Sequence, residues 1–415
     1  VLDRRFLRDN QKLVTQAVEL KNESVDIEQY YEKDAVRRAA LLKVETMQAD
    51  ANKANKAIAE VKKSGGDAKE AIANMKAIAD QIKELKAEAS AAEEAVDELY
   101  MKIPNIPHES VPHGSEENNV LVREWGTPLD PDFEAKPHWD LGDDLGVMHL
   151  EAASRMSGSG FSVLSGSLAR LERALINYFI DIHIAQGYRE VNVPFLVGRD
   201  AMTGTGQLPK LADDMYHCQV DDLFLIPTAE VSVTNIHREE ALTSEQLPLR
   251  YVAQSPCFRR EAGAAGKDTR GLLRVHQFNK VEMVQFVEPD DSYDELELLT
   301  GHAEVILQNL KLPYRILTLA TGDLSFAAAK CYDLEVWSPG VEQWLEVSSC
   351  SNFEDFQTRR SGIRLKGGKH PHTINGSGLA LPRVIVAIME NYQTATGKVR
   401  VPEVLTHYMD GAEFL

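Results

Sequence analysis

The sequence is short of cysteine and has no long apolar run, and both shortages narrow what the chain can be. Among its 415 residues no stretch of about 18 consecutive apolar residues occurs, as a membrane-spanning helix would require. The first ten residues carry Arg4, Arg5 and Arg8 and lack the apolar segment of a secretory signal. A cytoplasmic protein with no membrane partner is expected, and Val1, standing where an initiating methionine is usual, reads as processing or trimming. The four cysteines, Cys218, Cys257, Cys331 and Cys350, lie 39, 74 and 19 residues apart. That spacing suits neither a zinc site nor a disulfide framework, so free thiols and no zinc are expected. The Gly-x-x-x-x-Gly-Lys-Ser/Thr phosphate loop and the Rossmann glycine fingerprint are missing too. A nucleotide, if bound, is held by another device.

Positive charge is also scarce. A net charge of −19 excludes a protein that coats nucleic acid indiscriminately, because phosphate binding is driven by basic surface. Residues 33–86 are the exception: 12 basic against 8 acidic side chains give +4, leaving −23 for the rest of the chain. In the same stretch apolar residues recur in steps of four and three. Ala40, Val44, Met47, Ala51, Ala54, Ile58 and Val61 form one series, and Ala71, Met75, Ile78, Ile82, Leu85, Ala89, Ala92, Val96 and Leu99 a second. These are heptad seams. Separated by Ser64-Gly65-Gly66-Asp67, they predict two helices folded back as an antiparallel coiled coil, with both glycines supplying positive φ at the reversal. Each helix of about 35 residues would extend roughly 50 Å. Oligomerisation is one use for such an arm. Its excess of lysines (Lys53, Lys56, Lys62, Lys63, Lys69, Lys76 and Lys83) in an acidic protein raises contact with nucleic acid as a second use, and both stay open at this point.

The proline-rich stretch IPNIPHESVPHG at 103–114 admits no helix and ends the arm. We expect an N-terminal domain at 1–103 with its arm at about 30–100, a linker at 104–115, and a second domain at 116–415. In that domain, helices are predicted at 168–186, 291–309 and 378–393. Strands are predicted at 190–197, 223–226, 249–260, 272–287, 314–319, 332–338 and 343–349. Strands outnumber helices and seldom alternate with them, so the fold class is α+β, a mainly antiparallel sheet flanked by helices.

Two segments carry the chemistry. Residues 257–282, CFRREAGAAGKDTRGLLRVHQFNKVE, read as a strand, a glycine-rich loop (Gly263, Gly266, Gly271) and a returning strand. Arg259, Lys267, Arg270 and Arg274 could surround a polyphosphate, since guanidinium stays charged and offers a planar fork of donors. Residues 375–383, NGSGLALPR, bring small residues and then Pro382 and Arg383 to the start of an apolar helix. A helix N-terminus favours anions.

The first segment resembles motif 2 of the class II aminoacyl-tRNA synthetases, and the second resembles motif 3. YREVNVPFLV, after the helix ending near Gly187, resembles motif 1, with Pro194 as its dimer-forming proline. PTAE at 227–230, EVSSCSNFEDFQTRR at 346–360, the opening VLDRRFLRDN and the helical hairpin are similar to the seryl subgroup. The resemblance implies an ATP-dependent ligase that activates L-serine to seryl-adenylate and transfers it to serine tRNA, or to selenocysteine tRNA where present. It implies a six- or seven-stranded antiparallel sheet and a homodimer.

By the same resemblance, Arg259 binds the α-phosphate of ATP, Glu261 meets the adenine end and Phe278 stacks on the base. Arg274 and Arg383 hold the outer phosphates, while Arg260, Val347 and Ser348 adjoin the nucleotide. Glu346 and Ser349 hold Mg²⁺. Thr228, Ala229, Glu230, Glu282, Asn375 and Ser377 form the serine pocket, and Arg259, Arg383 and Glu346 are the catalytic set. Arg260 stands where relatives often carry a smaller polar residue, and 361–371 is short. Two other readings were open: a relative charging a carrier protein, which would lack the arm, and a catalytically silent RNA-binding paralogue, which would have lost the motif arginines.

Overall fold

The computed structural model describes residues 1–262 and 270–415; Gly263, Gly266 and Lys267 of the arginine-rich loop lie outside the described residues. The chain divides into two units, Arg4–Pro104 and a second formed by Val1–Asp3 with Asn105–Leu415.

The first unit is helical. Two short helices, α1 (Arg4–Asp9) and α2 (Gln11–Leu20), precede α3 (Ile27–Lys63) and α4 (Lys69–Tyr100). Asp26 caps α3 by accepting the Gln29 N–H at 2.9 Å, which satisfies one of the orphan donors of a helix start. Along α3 and α4 the seam residues are buried or half-buried as their heptad spacing requires, except Val61 and Ala71 near the turn, which are exposed. The turn departs from expectation in one respect. Gly65 has a φ of +76°, but Gly66 does not; a Cβ there would lie 2.9 Å from Val61 Cγ1. One glycine supplies the reversal and the other supplies room. Lys53, Lys56, Lys62, Lys63, Lys69, Lys76 and Lys83 are all exposed. At its base, Asp34 is buried and meets Arg37 at 2.9 Å and Arg38 at 3.1 Å, while Arg37 reaches across to Glu93 at 3.2 Å. Arg4 pairs with Glu93 and Asp97, so ionic contacts lock the ends of α3 and α4 where alanine-rich seams bury little area.

The second unit is built on a sheet of eight strands: β1 (Val120–Trp125), β2 (Arg189–Glu190), β3 (Leu249–Phe258), β4 (Gln277–Val287), β5 (Tyr314–Thr318), β6 (Lys330–Ser338), β7 (Gln343–Glu354) and β8 (His372–Ala380). Their order is β1-β5-β6-β7-β8-β4-β3-β2, antiparallel throughout except for the parallel β2–β3 pair. The sheet thus has eight strands where the resemblance implies six or seven; of its two edge strands, β1 is exposed along most of its length and lies in no predicted strand, while β2 holds only the start of the 190–197 run. The 190–197 run splits, its end forming Leu196–Gly198 in a separate three-stranded sheet.

Alternation along β4 sets the two faces of this sheet. Val281, Met283 and Val287 point into the main apolar core, with α6 (Gly166–Ala185), α7 (Ser292–Asn309) and α8 (Leu381–Asn391) packed on that side; α5 (His138–Asp144) joins α8 there. Phe278, Lys280 and Glu282 point the other way, toward a cleft. The helix predicted at 378–393 begins later. NGSGLA belongs to β8, and α8 starts at Leu381 with Pro382 in its first turn, where a missing N–H costs nothing. Among the described residues no helix is long and apolar enough to cross a membrane.

Candidate active site

The cleft lies on the open face of the sheet. It encloses about 710 Å³ and continues into a recess of about 80 Å³. Arg259, Glu261, Arg274, Lys280, Glu346 and Ser377 line both parts, so residues separated by more than a hundred positions share one wall.

The arginine hairpin enters from β3 and β4. Its backbone is tied by the Arg259 N–H to His276 O at 2.9 Å, and the Arg259 guanidinium stands 5.2 Å over the Phe278 ring, a cation–π distance. Arg274 Nη1 donates to Glu261 Oε2 at 2.7 Å. Arg383, from the first turn of α8, donates to Glu346 O at 2.7 Å and Glu346 Oε2 at 3.1 Å. Burial works against the charge of Glu346, but Arg383 and then Arg259 outweigh it and hold its carboxyl below the ordinary value.

Glu346 and Ser349 are three residues apart on β7, a spacing that in a regular strand points side chains to opposite faces. Here Leu334 pairs with Ser348 and Glu335 with Glu346, leaving Val347 as an extra residue. This β-bulge resets the alternation, so that Glu346, Ser349, Ser351 and Phe353 all line the cleft. Cys331 on the neighbouring strand supports the arrangement, its Sγ 3.1 Å from Ser349 Oγ. Burial, and then the Glu346 charge, push Asp333 beside it well above the ordinary carboxyl value. A second slip occurs in β8: Ser377 pairs with Glu282 but Ala380 with Lys280. His183 of α6 donates from Nε2 to Gly378 O at 3.1 Å. A Cβ on Gly378 would lie 2.2 Å from that ring nitrogen, so only glycine fits.

The deep end of the cleft is small and polar. Thr228 caps the helix Ala229–Thr234 and its Oγ1 donates to Glu282 Oε2 at 3.1 Å. Asn375 Nδ2 donates to Glu282 Oε1 at 3.3 Å, and Lys280 Nζ lies 2.5 Å from Glu282 Oε2. Glu230 accepts from Gln357 Nε2 at 2.7 Å. Burial and the nearby Glu282 raise the Glu230 carboxyl to about 7.

The structure thus gathers Arg259, Glu261, Arg274, Phe278, Glu346, Ser349, Arg383, Thr228, Glu230, Glu282, Asn375 and Ser377 around one cavity. Four expected residues place their side chains elsewhere. Arg260 is exposed and outside the lining, its backbone N–H bonded to Asp214 O at 2.9 Å. Ala229 and Val347 pack into apolar clusters, and Ser348 Oγ donates to Ser377 O at 2.6 Å. Pro194 is exposed, with its carbonyl accepting from Ser232 Oγ at 2.6 Å. Lys280 went unnoticed in the sequence, although period-two alternation from Phe278 to Glu282 puts it on the same face. Gln357 carries no local signal. Among the described residues no group of three or more His, Cys, Asp or Glu side chains suits a metal ion.

An antiparallel sheet with arginines brought together from a hairpin and a following helix start is the core of the class II aminoacyl-tRNA synthetases, and residues 216–392 match the family described as tRNA synthetase class II core domain (G, H, P, S and T). Residues 1–107 match the seryl-tRNA synthetase N-terminal domain. A serine–tRNA ligase of Caldicellulosiruptor saccharolyticus is 55% identical over 99% of both chains. The seryl-tRNA synthetase of Pyrococcus horikoshii, solved in complex with ATP, superposes with a TM-score of 0.92 at 35% identity, covering 100% of this chain and 99% of that one. The cytoplasmic serine–tRNA ligase of Naegleria fowleri, solved in complex with AMP, gives 0.87 at 31% identity, covering 100% and 98%. The chain belongs to the seryl-tRNA synthetase family. Both the α+β fold class and the helical arm expected from the sequence are borne out.

Proposed function

We propose that the cleft binds ATP and L-serine side by side and performs serine activation, the first half of the serine–tRNA ligase reaction. The observation that carries this reading is the meeting of Arg259 and Arg383, from two distant segments, around Glu346 in a cavity whose far end is a small polar pocket. Complexes of similar enzymes with ATP and AMP support the nucleotide assignment.

In this reading Arg259 meets the α-phosphate, Phe278 and Glu261 the adenine, and Arg274 and Arg383 the outer phosphates. The serine carboxylate, ionised at neutral pH, attacks the α-phosphorus directly and pyrophosphate leaves. No general base is needed. Negative charge grows on the α-phosphate and on the leaving group, where the preorganised guanidinium groups stand. Glu346 and Ser349 fit magnesium, offering a carboxylate and a hydroxyl on one wall and leaving further positions for water and phosphate oxygens. A bound Mg²⁺ would supply charge neutralisation at the phosphates.

At the deep end Glu230 and Glu282 receive the serine ammonium and hydroxyl, with Thr228, Asn375 and Ser377 completing the pocket. In the second step the terminal ribose hydroxyl of the tRNA attacks the adenylate carbonyl, an adenylate phosphate oxygen takes the proton, and AMP leaves. The lysines of α3 and α4 contact the RNA backbone. Pro194 belongs to a homodimer interface, the N-terminal domain spans 1–103, and the protein works in the cytoplasm. Pyrophosphate exchange measured with each of the twenty amino acids, then acylation of total tRNA, tests the reading. Serine alone should support both steps, and exchange with another amino acid at equal efficiency would overturn the assignment.

A further inference from the structure

We propose that His138 is a positioning residue for the arginine hairpin: held by Glu390 as its Nδ1–H tautomer, it accepts the Leu272 backbone N–H and fixes where Arg274 enters the cleft. The consequence for Arg274 rests on the reading of that residue as an ATP-phosphate ligand; the anchor itself does not.

The tautomer follows from the partners. His138 Nε2 lies 3.0 Å from the Leu272 backbone nitrogen, which can only donate. His138 Nδ1 lies 2.9 Å from Glu390 Oε1, and a carboxylate can only accept. A neutral imidazole carries one N–H, so the proton sits on Nδ1 and the lone pair faces Leu272. Both side chains have no exposed surface, so no water stands in for either partner. Glu390 is fastened independently: Oε1 also accepts the His138 backbone N–H at 2.9 Å, and Oε2 accepts Ser338 Oγ at 2.5 Å and the Gly340 N–H at 2.8 Å.

The imidazole also dictates the chain opposite it. Gly271 has a φ of +69°, and a Cβ there would stand 2.1 Å from His138 Nε2. Two residues beyond Gly271, Leu273 O accepts from Arg383 Nε at 3.4 Å. Residues 272 and 273 are therefore tied to the two ends of α8, through His138 to Glu390 and directly to Arg383. Arg274 follows at once and meets Glu261. Small displacements of a phosphate ligand are costly in catalysis, so a bracket of this kind has a kinetic consequence as well as a structural one.

Two substitutions separate that consequence from simple packing. His138→Gln places an amide oxygen near the Nε2 position and keeps an acceptor for Leu272. His138→Asn places its amide near Nδ1, keeps a donor for Glu390 and loses the acceptor. Hydrogen exchange of the Leu272 amide, the KM values for ATP and serine in pyrophosphate exchange, and Tm would be measured on the full chain, with Arg274→Ala as comparator. We expect His138→Asn to speed Leu272 exchange and raise the ATP KM by about ten-fold, with the serine KM little changed; His138→Gln should stay near the parent in both. Glu390→Gln, which favours the other tautomer, should resemble His138→Asn, and ¹⁵N shifts of the parent should show His138 protonated at Nδ1. Equal behaviour of the Asn and Gln variants, with any loss tracking Tm, overturns the proposal, as does an Nε2–H tautomer. If Arg274→Ala leaves the ATP KM unchanged, the ATP reading fails instead. The anchor is then decided by Leu272 exchange alone: unchanged protection in His138→Asn overturns it, and lost protection sustains it.

Discussion

Glu230 and Glu282 share one buried pocket but meet opposite kinds of donor: Lys280 lies 2.5 Å from Glu282, whereas Glu230 is met by the neutral amide of Gln357 at 2.7 Å. With burial and Glu282 raising its carboxyl to about 7, Glu230 is largely protonated below neutrality in the ligand-free enzyme. Its folded value exceeds its unfolded one, so this group's contribution to stability declines as pH rises from about 4.5 to about 7, and Glu230→Gln should flatten that slope. An ammonium group arriving beside it favours the ionised form. Serine binding near pH 7 should therefore release roughly half a proton per site. Titration calorimetry in buffers of different ionisation enthalpy would read it. Buffer-independent heats at both pH 6 and pH 7 would rule it out.

Arg259 stands over Phe278 and helps hold down the Glu346 carboxyl. Arg259→Ala should cost about 3–4 kcal/mol of transition-state stabilisation, a loss of roughly 10²–10³ in the exchange rate. Near-normal serine-dependent exchange in this variant would remove Arg259 from the mechanism.

Alanine should be a poor substrate, because a pocket of hydrogen-bonding groups is left unpaired when the hydroxyl is missing. Glu282→Ala removes the acceptor that organises Thr228, Lys280 and Asn375. It should raise the serine KM strongly while leaving the ATP KM within about three-fold. An unchanged serine KM would contradict the assigned contact.

How much of this was legible beforehand depended on how local the signal was. The arm was legible because a heptad seam is a property of consecutive residues, and the long strands were legible from alternation. Arg259, Arg274 and Arg383 stood out because arginines clustered among glycines have few structural uses. Other features form only when distant strands pair. The Val347 bulge exists in relation to Leu334 and Glu335, Gln357 reaches Glu230 from 127 positions away, and His183 meets Gly378 across the core. NGSG was misplaced at a helix start because small residues suit turns and crowded strands alike. In this fold the crowding, by His183, comes from elsewhere in the chain.

Magnesium dependence should separate the two oxygen ligands. Ser349→Ala and Glu346→Gln should both raise the magnesium concentration needed for half-maximal exchange, and Glu346→Gln should do so more because it removes a negative charge beside Arg383. An unaltered magnesium titration in both variants would place the ion elsewhere.

The arm should matter only to the second step. Excising residues 45–85 and closing the helices with a short turn leaves the Asp34–Arg37–Glu93 base intact. Serine-dependent exchange should persist while aminoacylation falls by about 100-fold or more, with a weaker salt dependence of tRNA binding as lysine–phosphate contacts are lost. Parallel loss of both activities would deny this division.

The unpaired residue in β7 has a consequence for how the site can vary. Val347 touches no substrate in our reading, and a similar apolar side chain such as isoleucine should serve in the core as well as valine does. The extra residue uncouples count from facing. Were Val347 lost, Glu346 and Ser349 would stand two apart on a regular strand and still share the cleft face, whereas a strand that kept every residue but paired without the bulge would turn Ser349 toward the core. Substitution at this position, or loss of this one residue, is therefore open to the chain, and flattening the bulge at constant length is closed.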